Sequence, residues 1–185
     1  MEEGLYLIGG NGNQNNNLHY DNRTIKIRRN MPQEKTFFAA VHLKGRIYTF
    51  GGYDGFEKVQ LNTCEYYDMK LDKWYNSPIT SQSGNIEYKL IQERSQASCC
   101  VFEDDVIYIF GGYNREVGTL NTIEKFEVNK KKIVKMDLLI PSPIRRFVSM
   151  KISTTKILLI GGIGEDSQEL DAVFCFDLDK EYTIE

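Results

Sequence analysis

Histidine and tryptophan are nearly missing from this chain, with two and one among 185 residues, and proline occurs only four times. So few imidazoles leave no cluster from which a zinc or copper site is ordinarily built. His19 lies in a polar loop and His42 ends a β-rich run, so both read as structural or solvated side chains. Basic charge is not in excess: 23 Lys plus Arg against 26 Asp plus Glu gives a net charge of −3. That balance argues against a non-specific nucleic-acid binder. No apolar run reaches the length of a membrane span, and the opening MEEGLYLIGG has neither the basic flank nor the long apolar core of a secretory leader. A cytoplasmic protein with no membrane partner is expected. The four cysteines, Cys64, Cys99, Cys100 and Cys175, sit inside apolar runs and read as small buried hydrophobes rather than disulfide or metal ligands.

The signatures of common catalysts are missing as well. There is no Gly-x-Ser-x-Gly, no His-Glu-x-x-His and no Gly-Lys-Ser/Thr phosphate loop. GGNGNQNNN and GGIGEDS each contain Gly-x-Gly, yet neither supplies a third glycine or opens a helical pattern, so neither reads as a dinucleotide site. The Asn-rich stretch reads as a loop. No catalytic residue, metal or cofactor is expected, and the chain is not read as an enzyme.

What the chain does hold is a repeat. Glycine pairs begin at Gly9, Gly51, Gly111 and Gly161, closing the runs GLYLIGG, RIYTFGG, VIYIFGG and KILLIGG. After each comes an aromatic followed by an acid: Tyr20-Asp21, Tyr67-Asp68, Phe126-Glu127 and Phe176-Asp177. Six residues after the acid the first three copies place Ile27, Trp74 and Ile133, and Leu61, Leu120 and Leu170 fall in register before the aromatics. The intervals between glycine pairs are unequal because one connection is long, so residues 76–93 read as an inserted loop in an otherwise regular period. The repeats run approximately 1–32 (partial), 33–80, 93–140 and 141–185 (partial), within one region spanning 1–185.

Within a period the β-rich runs and turns predict four strands, as in TFFAAVHL, RIYTFGG, NTCEYYD and a strand beginning at KWYNS. The first of these is rich in small residues, as strands crowding toward an axis require. Glycine tolerates positive φ and close backbone approach, so a pair at a strand end suits a crowded turn. The fold class is therefore all-β, in about four blade-like four-stranded antiparallel sheets.

At RIYTFGGYDG, NTCEYYDMKLDKW and VIYIFGGYN the chain resembles the kelch-repeat family of β-propellers. The resemblance covers the whole chain apart from the inserted loop. It implies a non-catalytic protein-interaction scaffold, either the substrate-recognition part of a cullin-type ubiquitin ligase or a cytoskeletal or ciliary scaffold. A propeller enzyme with a metal site is the disfavoured alternative. The first copy opens at a second strand and the fourth is expected to stop after a third, so the ring is incomplete. The chain reads as a fragment that needs further repeats or another chain to close it.

One constellation suggests a binding face. Basic residues recur before the inner runs: Lys35 at 16 residues before Gly51, Arg94 at 17 before Gly111, and Arg145 and Arg146 at 16 and 15 before Gly161. The loops after the glycine pairs carry Tyr53, Asp54, Phe56, Tyr113, Asn114 and Arg115 on the same expected face. Arginine binds carboxylates bidentately and aromatics add apolar area, so the expected partner is another protein with an acidic segment. The resemblance implies that partner peptides bind on this face, near the central channel.

Overall fold

A computed structural model describes residues 4–10, 16–21, 23–76, 88–178 and 182–184, and all regular structure among them is β. The first sheet has three strands, β1 (Leu5–Ile8), β2 (Asn17–Tyr20) and β3 (Ile25–Ile27). The second is β4 (Ala39–Leu43), β5 (Arg46–Phe50), a small ribbon of β6 (Tyr53–Asp54) and β7 (Val59–Gln60), then β8 (Cys64–Asp68) and β9 (Lys73–Asn76). The third repeats it with β10 (Ser98–Val101), β11 (Val106–Phe110), a ribbon of β12 (Tyr113–Asn114) and β13 (Gly118–Thr119), β14 (Thr122–Glu127) and β15 (Lys132–Leu139). The fourth is β16 (Val148–Lys151), β17 (Lys156–Ile160), β18 (Val173–Asp177) and β19 (Tyr182–Ile184). Each sheet is an antiparallel meander in chain order, and the whole is an open arc of propeller blades.

The structure departs from two expectations. The fourth copy does not stop at a third strand, because β19 pairs with β18 and completes that blade. In the first copy Ile25, not Ile27, stands across from the repeat aromatic Tyr20, the place that Trp74 and Ile133 take beside Tyr67 and Phe126. The turn there is tight: the Asp21 carboxylate accepts the backbone N–H groups of Arg23 and Thr24, and the following strand starts early. Ile27 is left 83% exposed.

The core lies between blades. Tyr6 and Ile8 of the first blade meet Ile47, Tyr67 and Trp74 of the second. Tyr48, Phe50, Cys64 and Tyr66 on the other face of the second blade meet Ile107, Ile109 and Phe126 of the third. Tyr108, Phe110 and Ile123 meet Ile157, Leu159, Phe174 and Phe176 of the fourth. Period-two alternation along each strand supplies one apolar row to each neighbour. The inner strands pack on one another, β10 touching both β4 and β16, and Ser98 and Ser149 hydroxyls meet at 2.8 Å. Small side chains suit that approach.

The glycine pairs serve these junctions. Gly51 has φ +61°, and a Cβ on it would stand 2.3 Å from the Arg94 carbonyl of the next blade; on Gly111 the clash would be 2.4 Å from the Ile144 carbonyl. The first glycine thus admits the next blade's backbone. The second, Gly52 or Gly112, admits the entry of its own blade at Thr36 or Ser95.

Candidate functional site

The three entries to the inner strands share a backbone form: Phe37, Gln96 and Arg146 have φ of 55°, 59° and 55°. They are tied in series, Gln96 N–H donating to the Phe37 carbonyl at 2.7 Å and Arg146 N–H to the Gln96 carbonyl at 2.9 Å. Each entry bridges the loop after its own glycine pair, through Thr36 with Tyr53, Ser95 with Tyr113, and Arg145 with Ile163. Entries and post-glycine loops therefore lie on one face. The lysine run at residues 130–132 occupies the β14–β15 hairpin at the other end of the strands.

These pairings re-register the basic residues. Lys35 is equivalent to Arg94 and to Ile144, whereas Arg145 aligns with Thr36 and Ser95, and Arg146 with Phe37 and Gln96. Counting back from the glycines misplaces them by one, because the β4–β5 hairpin is a residue shorter than the two that follow.

The shift separates two chemistries. Lys35 and Arg94 have no exposed surface, so neither reaches a partner. Lys35 Nζ lies 2.9 Å from Glu65 Oε2 and donates to Thr49 Oγ1 at 3.2 Å. Arg94 pairs with Glu124 and also donates to the Gly111 carbonyl at 2.9 Å and to the Thr122 hydroxyl at 3.2 Å. Glu124 in turn accepts the backbone N–H groups of Ile91 and Gln92. Burial pulls the Arg94 guanidinium below its ordinary range while Glu124 opposes the shift. In the fourth blade the same two places hold Ile144 and Phe174, both buried. An ion pair inside two blades is thus replaced as a unit by an apolar pair in another.

Arg145, half-buried, and Arg146, exposed, are the part of the set that reaches the surface. The Arg145 guanidinium lies over the Tyr113 ring at 5.0 Å and donates to Ser167 Oγ at 3.0 Å, while its buried Nε has no hydrogen-bond partner. Arg146 lies over Phe37 at 5.6 Å and donates through Nε to Gln96 Oε1 at 2.8 Å. Among the described residues neither has a carboxylate partner. Phe37, 54% exposed, is a member of this face that sequence reading missed. Its alignment with Arg146 becomes visible only after the one-residue correction.

The loop residues divide similarly. Asp54 Oδ1 accepts the backbone N–H groups of Phe56 and Glu57, and these bonds, that of Glu57 first, hold its carboxyl below the ordinary carboxylate range. Asn114 Oδ1 does the same for Glu116 and Val117, and its amide donates to the Glu93 carbonyl. Both side chains build the loop. Tyr53 and Tyr113 are half-buried, Phe56 is 91% exposed, and Arg115 is exposed with its backbone N–H on Gln60 Oε1.

The inserted segment is shorter than its sequence bounds of 76–93. Leu90 is buried at the junction of the second and third blades, in the place Met31 and Ile140 take at theirs, so the residues around it belong to the repeat. Residues 77–87 and the Asn-rich 11–15 lie outside the described residues. Among the described residues no group of three or more His, Cys, Asp or Glu is placed to hold a metal ion, and no helix is long and apolar enough to cross a membrane.

Residues 35–79, the second blade, match the family model described as Kelch motif. The chain is 29% identical over 157 residues to "Alpha-scruin" of Limulus polyphemus, an alignment that covers 80% of this chain and 16% of that protein. It is 25% identical over 97 residues to "Kelch domain-containing protein 3" of Bos taurus, covering 51% of this chain and 25% of that one. The chain spans a quarter or less of the length of these relatives.

Proposed function

We propose that this chain, a kelch-repeat protein, is a non-catalytic protein-interaction module that holds an acidic segment of a partner protein on its entry face. Two arginines, each stacked on an aromatic ring and neither neutralised by a carboxylate, carry that reading. A guanidinium laid on an aromatic face is held in place, so little side-chain freedom is lost when a carboxylate meets its outer edge. Phe37, Phe56 and Tyr113 supply apolar area beside the charges. A rigid sheet scaffold carrying exposed loops is the usual arrangement for such recognition.

Lys35, Arg94, Asp54 and Asn114 hold this face up from within, and the contact set becomes Arg145, Arg146, Phe37, Phe56, Tyr113 and Arg115. A recognition part of a ubiquitin ligase and a cytoskeletal scaffold would use the face alike, so the partner's identity assigns the role.

The test compares the two ends of the blades. Replacing Arg145 and Arg146 with Ala should weaken partner binding by roughly 2 kcal/mol or more, as for anchors at the centre of an interface. Replacing Lys130, Lys131 and Lys132 with Ala should change it by less than about 1 kcal/mol, the range for solvated charges. Capture from native extract followed by titration at two salt concentrations reads both. Loss of the partner by the lysine variant and retention by the arginine variant would overturn the assignment. Metal analysis of the purified chain tests the enzymatic alternative: a stoichiometric bound metal would count against a purely binding role.

A further inference from the structure

The junctions between the second and third blades and between the third and fourth are built alike. Gly52 N–H donates to the Arg94 carbonyl, Arg94 N–H to the Leu61 carbonyl and Leu90 N–H to the Asn62 carbonyl, at 2.8, 3.1 and 2.8 Å. One blade on, Gly112 N–H donates to Ile144, Ile144 N–H to Leu120 and Ile140 N–H to Asn121, at 2.8, 3.0 and 2.8 Å. In both, the incoming carbonyl sits where the first glycine's Cβ would be.

The fourth blade carries the same socket with nothing in it among the described residues. Gly162 N–H and the Leu170 and Asp171 carbonyls are the equivalents, and none has its junction bond. Gly161 keeps the left-handed form at φ +64°, yet the nearest atom to its Cβ site is the Leu170 carbonyl oxygen at 3.7 Å. Gly51, Gly52, Gly111 and Gly112 are buried, whereas Gly161 and Gly162 are not. Beside the socket, Val148, Met150, Ile160 and Val173 are 61%, 49%, 38% and 48% exposed, although Phe50 and Phe110, equivalent to Ile160, are exposed by 1% and 0%. A left-handed glycine, three backbone groups without their junction bonds among the described residues, and an uncovered apolar row coincide at one edge.

We infer that this edge is a docking socket for the entry segment of a further kelch blade. The occupant follows from the two filled junctions and from the first. Residues 31–43, 90–102 and 140–152 are three ungapped segments of equal length, each opening on a buried apolar anchor, Met31, Leu90 or Ile140. Four residues on, each has a side chain with no exposed surface, Lys35, Arg94 or Ile144. The partner is a peptide segment of that frame running into a strand. A second copy of the chain does not fit, because two of its entry segments already hold these junction bonds, the third has Met31 and Lys35 buried, and its first blade has none among the described residues.

The probe is a synthetic peptide with the sequence of residues 140–152, IPSPIRRFVSMKI, added at millimolar concentration to the full chain. The readout is amide hydrogen exchange at Gly162, with Gly52 and Gly112 as internal references for an intact fold. In the chain alone Gly162 should exchange fast and the two references slowly; the peptide should slow Gly162 by about tenfold or more and leave the references unchanged. Gly161→Ala places a methyl where the incoming carbonyl must lie, and Ile160→Asp charges the apolar row; each should abolish the added protection. The second variant decides if the first does not fold. No protection of Gly162 by the peptide, or protection that persists in either folded variant, would overturn the inference. So would protection that rises with concentration of the chain alone, which would assign the edge to a second copy.

Discussion

Replacing Glu65 with Ala should cost about 3–5 kcal/mol, because it strands the Lys35 ammonium at a place with no exposed surface. The remaining hydrogen-bond partner is Thr49 Oγ1 at 3.2 Å, which does not neutralise the charge. The fourth blade shows the alternative: Ile144, Leu159 and Phe174 fill the places of Lys35, Thr49 and Glu65 with no ion pair. The double variant Lys35→Met with Glu65→Leu should therefore recover most of the loss and lie within roughly 1.5 kcal/mol of the parent. With a urea slope of about 2 kcal/mol per molar, the single variant lowers the midpoint by roughly 2 M and the double by at most about 0.75 M. Trp74, buried in the same blade at 6% exposure, is the only tryptophan and reports the transition by fluorescence. A single-variant cost below about 1 kcal/mol, or a double variant as unstable as the sum of its parts, would refute the reasoning.

Gly111→Ala should destabilise by roughly 2 kcal/mol or more, since its Cβ meets the Ile144 carbonyl at 2.4 Å, whereas Gly45→Ala, with open space at φ +75°, should lose only about 1 kcal/mol; urea titration compares them. Asp72 has its carboxyl lowered by the Arg29 backbone N–H and then by the Tyr67 hydroxyl, so its contribution is complete above the ordinary carboxylate pKa and disappears as pH falls through the lower folded value. Asp72→Asn should then flatten the fall in urea midpoint between pH 5 and pH 3, in the range about the ordinary carboxylate pKa. Burial pushes the Cys64 thiol up to about 12 and also raises Cys99, so mass spectrometry should find alkylation of half-buried Cys175 in the native chain and of Cys64 and Cys99 only after unfolding.

The repeat was legible because its devices are local. A glycine pair, an aromatic-acid step and period-two alternation are written in adjacent residues, and they lead to four antiparallel sheets and to the face shared by inner-strand entries and post-glycine loops. The pairing of Lys35 with Glu65 and of Arg94 with Glu124 also left a trace. Glu65 and Glu124 hold one place in LNTCEYYD and LNTIEKFE, and Phe174 takes it where Ile144 replaces the base. That trace is readable only in the right register, and register depends on a one-residue difference in hairpin length whose effect appears when the strands pair.

Burial then decided what the basic residues do. Along the sequence Lys35, Arg94, Arg145 and Arg146 are four similar charges at nearly one phase. Packing sends the first two into their own blades, where low dielectric makes an ion pair obligatory, and leaves the last two on aromatic rings at the surface. Sequence spacing measures distance along a strand, while the partition between core and face turns on which side of a blade a residue's register places it. In the entry that precedes the fourth blade's inner strand the first place turns into the blade and the next two turn outward, so an offset of one residue is the whole difference between an internal brace and a binding group.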